Sequence, residues 1–108
     1  MNPMNFDIEN IIKEMLSAIT GTVGDHWDEV KSVANQFLQR KKGRLELIAE
    51  LRITGDLSQE KFESRLMDEK LILEAELNAL AVISKAIAQK AANAAIDVLM
   101  KAVELAIP

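Results

Sequence analysis

The sequence predicts an all-α fold: an antiparallel hairpin of two long helices, with a third short N-terminal helix as the alternative, associating into a four-helix-bundle-like oligomer. Three observations predict it. Helix breakers are nearly absent from the interior, since both prolines, Pro3 and Pro108, stand at the chain ends, and of Gly21, Gly24, Gly43 and Gly55 only Gly55 sits in a complete stop signal. Beta-branched residues are a minority beside Ala, Leu, Glu and Lys, and aromatics are limited to Phe6, Trp27, Phe37 and Phe62, a balance that favours helix over strand. Apolar residues recur at coiled-coil spacing through the second half.

The first arm is expected over residues 1–54, within a single domain covering 1–108. Ile8, Ile11, Ile12, Met15, Leu16 and Ile19 share helical spacing at its start. Gly21 and Gly24 leave two readings open: the helix runs through them, or it bends or breaks at 21–24. Residues 55–57 form the turn, where Gly55 can take the left-handed conformation that ends a helix. Ser58 is a good N-cap for the second arm, 58–107, with polar Gln59 and Glu60 in its first turn. No glycine or proline interrupts that arm, and about 50 residues of helix would be ~75 Å long.

Leu66, Leu73, Leu80, Ile87 and Ala94 repeat every seven residues. Leu77, Ala91, Val98 and Leu105 form a second set at the same period, with Ser84 in the gap. With Trp27, Val30 and Phe37 from the first arm, Leu66, Leu73, Leu77, Leu80, Ile87 and Val98 make the expected oligomer seam. Folding back near residue 56 would also face opposite charges: Arg52 with Glu60, Glu50 with Lys61, Glu46 with Arg65, Arg44 with Asp68, and Lys42 with Glu69. The same register sets "AITGTVGDH" against "KAIAQKAANAA", small residues on both sides. Two helices alone cannot cover "LIL" at 71–73, "ALAVI" at 79–83 and "VLM" at 98–100, so self-association is expected.

The bulk properties bound the function. One domain fits 108 residues, close to the common domain size. A net charge of −4 disfavours general binding to a phosphate backbone. With no cysteine, disulfides, thiolate chemistry and Cys-ligated zinc are excluded. "MNPMNFDIEN" shows no basic stretch followed by an apolar run, so no signal peptide is expected, and a cytoplasmic location fits. The alanine-rich end, "KAIAQKAANAAIDVLMKAVELAIP", carries Lys85, Lys90, Asp97, Lys101 and Glu104, too much charge for a spanning helix. It reads as a bundle seam, and a surface-lying amphipathic helix is the alternative.

Few groups could carry chemistry. "QRKKGR", residues 39–44, is the only basic run, and Arg40, Lys41, Lys42 and Arg44 are a candidate anion contact for nucleic acid or lipid. No aromatic is interleaved for base stacking, and Asp68 and Glu69 are expected to neutralise the run. "GDHWDE" holds the only histidine, with His26 and Glu29 three apart. The Glu-x-x-His motif of di-iron bundles is missing, and no P-loop, dinucleotide fingerprint or nucleophile triad occurs. No catalytic, metal or cofactor-binding residue is assigned, and no enzyme activity is expected.

"LIAELRITGDLSQEKFESRL", residues 47–66, resembles the short helical hairpin family known as SHOCT. The likeness rests on Leu51, Gly55, Leu57, Ser58, Glu60 and Phe62, about a fifth of the chain. It implies a helical hairpin used for association, and no catalytic residue transfers with it. The expected function is that of a non-enzymatic helical protein working by self-association and by binding another protein, as scaffold, adaptor or small regulator. The alternative is a lipid- or granule-surface binder resembling phasins or exchangeable apolipoproteins; nucleic-acid binding through residues 40–44 is the third reading.

Overall fold

Four helices follow one another in the computed structural model, which describes residues 6–108. They are α1 (Ile8–Val23), α2 (Trp27–Ile53), α3 (Gln59–Ala79) and α4 (Lys85–Ala106), with a 3-10 turn over Gly24–His26. The described residues contain no strand. The first five residues of the expected first arm lie outside the described ones.

Three of the four helices start in the same way. Asp7, Ser58 and Ser84 each accept a hydrogen bond from a backbone N–H two or three residues ahead, at 3.1 Å or slightly more. Those bonds satisfy donors that the first turn cannot pair internally. The residue before each cap is apolar and buried: Phe6, Leu57 and Ile83. Four residues past each cap stands a second buried apolar residue, Ile11, Phe62 or Ala88. This is the spacing of the hydrophobic staple, which fixes the angle at which the chain enters a helix.

The breaks between helices have equally local causes. Gly24, at φ +58°, ends α1, and Gly55, at φ +89°, lies in the turn after α2. Both values lie in the left-handed region, where a side chain is strained and glycine is not. The third break comes without glycine. Ala81 takes φ +58°, and the chain restarts at Ser84. The expected unbroken arm over 58–107 is therefore corrected to two helices joined at 80–84. The first arm likewise breaks at 24–26, one of the two readings left open above. No helix approaches 75 Å: the molecule measures 40 × 26 × 20 Å, and α2, with 27 residues, spans its long dimension at ~1.5 Å per residue.

The helices close into a ring of neighbours, α1–α2–α3–α4–α1. The α1–α4 contact is the most extensive, and α2 touches α4 across the diagonal. Lys42 is ion-paired with Glu9 at the start of α1, so α1 and α2 run antiparallel, and α2 overhangs α1 beyond that point. Arg44 meets Glu69, and Arg40 meets Glu76, so α2 and α3 are antiparallel too. Glu63, Met67 and Lys70 share a cleft with Met100, Ile96 and Asn93, which reverses the chain again. Alternation leaves α1 antiparallel to α4.

The core fills this ring. Met15, Ile19, Phe37, Leu38, Phe62, Leu73, Leu77 and Leu99 are fully enclosed, each such side chain contributing roughly 1.5–3 kcal/mol. Ala88, Ala91, Ala92 and Ala95 are among the seven buried residues of α4. Their small side chains let α1 and α3 approach closely on either side, which explains the alanines of the C-terminal stretch. No described helix is long and apolar enough to cross a membrane.

Candidate interaction surfaces

The basic run is consumed inside the molecule. Successive residues of a helix point 100° apart, so the four cations reach different neighbours. Arg40 Nη2 donates to Glu76 Oε2 at 2.5 Å, and its guanidinium lies 5.6 Å from the centre of the Phe37 ring. Lys41 Nζ lies 3.3 Å from Glu69 Oε2. Lys42 pairs with Glu9. Arg44 Nε donates to Glu69 Oε1 at 2.5 Å. Glu69 is the described charged side chain that the fold buries, at 1% exposed. Its Oε2 has the ion contact to Lys41 but no hydrogen bond.

Each candidate anion contact is thus paired with an acid, Lys41 and Arg44 sharing Glu69. Glu69 was expected among these acids; Asp68 was expected and is not, while Glu9 and Glu76 take its place. None of the five charge pairs anticipated from the fold-back forms among the described residues. Near the turn, Arg52 instead donates to Gln59 Oε1 at 2.9 Å.

The expected seam divides in two. Val30, Phe37, Leu66, Leu73 and Leu77 are buried in the chain's own core. Where an interchain seam was expected, these five are enclosed within a single chain. Trp27, Leu80, Ile87 and Val98 lie half-buried at the edge of that core. His26 Nδ1 and Glu29 Oε1 are 3.1 Å apart on the surface. No group of three potential metal ligands gathers among the described residues.

What remains exposed defines the candidate surfaces. Leu47 on α2 and Met67, Leu71 and Ile72 on α3 are exposed. Met67 and Leu71 are one turn apart and share an outward face. A groove of about 540 Å³ lies between α1 and α4. Ile11, Val98, Ala102 and Leu105 give it an apolar floor and lip, with Glu14 on the α1 wall and Lys101 on the α4 wall. Leu105 is 87% exposed. The sequence placed Val98 and Leu105 in a heptad row, Ile11 on an apolar helix face and Lys101 among the charges of the C-terminal stretch, but it did not bring them together or single out Glu14. Their meeting depends on α1 lying beside α4. Comparison with protein-family models, with curated proteins and with solved structures finds no match to this chain.

Proposed function

We propose that this protein is a non-enzymatic helical interaction protein, a scaffold, adaptor or small regulator that self-associates and holds another protein on the outside of its bundle. The observation that carries the reading is the α1–α4 groove with Leu105 standing almost fully in solvent at its lip. Isolated surface leucines are ordinary, but an apolar residue at the mouth of an apolar groove is the usual anatomy of a docking site. The core asks for no further helix, since α1 to α4 already enclose it. Association would therefore use the exterior and leave the fold of each copy intact. The pairing of Arg40, Lys41, Lys42 and Arg44 with acids favours a protein partner over a polyanion. Light scattering after gel filtration, across a dilution series, tests this: a discrete dimer or tetramer is expected. A chain that stays monomeric at the highest concentration would remove self-association from the proposal.

A further inference from the structure

Resting on that reading, we propose that a second copy of this chain covers the α1–α4 groove. The two copies are related by a two-fold axis parallel to the helices, with Glu14 of each against Lys101 of the other.

Ion pairs tie α2 to α3 through Arg40–Glu76, Lys41–Glu69 and Arg44–Glu69, and tie α2 to α1 through Lys42–Glu9. Helix α4 carries Lys85, Lys90, Asp97, Lys101 and Glu104. Among the described residues none of these five is in an ion pair, nor is Glu14. Of these, Glu14 and Lys101 line the α1–α4 groove, which therefore presents one unpaired charge of each sign.

The position of those charges selects the occupant. Glu14 stands on one wall of the groove and Lys101 on the other. A two-fold axis parallel to the helices exchanges left and right at constant height, so Glu14 of each copy meets Lys101 of the other, two acid–base pairs in all. An axis across the helices would set Glu14 on Glu14 and Lys101 on Lys101. Because α1 and α4 are antiparallel, Ile11 and Leu105 fall at the same end of the groove. The favoured axis then lays Leu105 of each copy over Ile11 of the other. An isologous interface needs such self-complementarity. A wall pair of one acid and one base is neutral, so it offers no electrostatic gain to an anionic membrane or a nucleic acid. The area is also adequate. Helix α4, of 22 residues, is ~33 Å long. Helix α1, of 16 residues, is ~24 Å long, so at ~10 Å of width each the two helices offer roughly 570 Å² per copy, enough to clear the ~1,000 Å² total of a specific interface.

The test is a charge swap on the full chain, read as solution mass by light scattering over a dilution series. Glu14→Lys or Lys101→Glu alone should weaken dimerisation by about tenfold or more, since each places like charges together twice. Glu14→Lys with Lys101→Glu should restore it to within about threefold of the parent. Both side chains are exposed and unpaired, so the helix content should not change. Leu105→Asp provides a second route on an exposed residue and should leave monomer. A parent dimer insensitive to the swaps and to Leu105→Asp would overturn this interface while leaving self-association standing. A parent that is monomeric throughout would overturn both. If that monomer floated with phosphatidylglycerol vesicles, the groove would pass to a lipid surface.

Discussion

Glu69 shows how a single side chain organises the α2–α3 interface. It is buried, one oxygen takes the Arg44 Nε–H at 2.5 Å, and the other faces Lys41 Nζ at 3.3 Å. Removing one member of a buried ion pair is costly because it strands the other charge, whereas replacing the whole group with apolar residues of similar volume is often neutral. Arg44 is more than half exposed here and can rehydrate, so the cost is expected below the usual range. Glu69→Gln should lower stability by about 1–3 kcal/mol. Combining Glu69→Leu, Lys41→Met and Arg44→Leu should recover most of that loss. Urea unfolding followed through Trp27, the only tryptophan, measures both. A single variant as stable as the parent would mean that the pair fixes no register. The sequence revealed at this scale that the basic run faces acids, Glu69 among them, but not that Glu9 and Glu76 are the others. Shifting by one residue, from Lys41 to Lys42, turns the side chain from α3 to α1, and no residue count along a hairpin resolves such a turn.

The helices α3 and α4 mark the limit of reading elements from breakers alone. Gly55 with Ser58 announced one junction, and Gly24 closed another. The junction at 80–84 contains neither glycine nor proline, and the heptad rows run straight through it. Its signal was of another kind, "VIS" before α4, which matches "DLS" before α3 in placing a buried apolar residue ahead of a serine cap. Val82 and Ile83 add beta-branched residues that are slightly disfavoured in helix. The local energies are testable. Alanine at positive φ costs roughly 1–2 kcal/mol, and glycine at the same place loses about 0.5–1 kcal/mol of that gain through unfolded-chain entropy. Ala81→Gly should therefore stabilise the protein by about 0.5–1 kcal/mol. Ser84→Ala should cost about 1 kcal/mol through the lost bond to the Ile87 N–H. Thermal melts of the two variants should move in opposite directions; a destabilised Ala81→Gly would argue for a continuous helix across the junction.

The whole molecule is the anticipated hairpin folded once more across its middle. The pairing of α2 with α3 about Gly55 and of α1 with α4 both belong to that hairpin. Folding at 24–26 and at 80–84 adds the α1–α2 and α3–α4 contacts. One chain thereby supplies the four helices for which two copies were expected. The apolar excess in "LIL", "ALAVI" and "VLM" was legible in the sequence. Its destination was not, because periodicity gives the direction in which a residue faces and not the chain that supplies its neighbour. Leu73, Leu77 and Leu99 went to the intrachain core, while Leu71, Ile72 and Leu105 stayed outside. The α1–α4 groove follows from this closure, and so does its availability to a second copy.

The central claim is that α3 and α4 fold back on each other within one chain. A distance between spin labels at Ser64→Cys and Asp97→Cys tests it most directly. Both sites are exposed and the chain has no native cysteine. Dilution with unlabelled protein removes distances between copies. Neighbouring helices lie 8–10 Å apart, so the bundle predicts a label separation under about 25 Å. A separation near 50 Å, the length of 33 residues of unbroken helix at ~1.5 Å each, would contradict the account and restore the long hairpin.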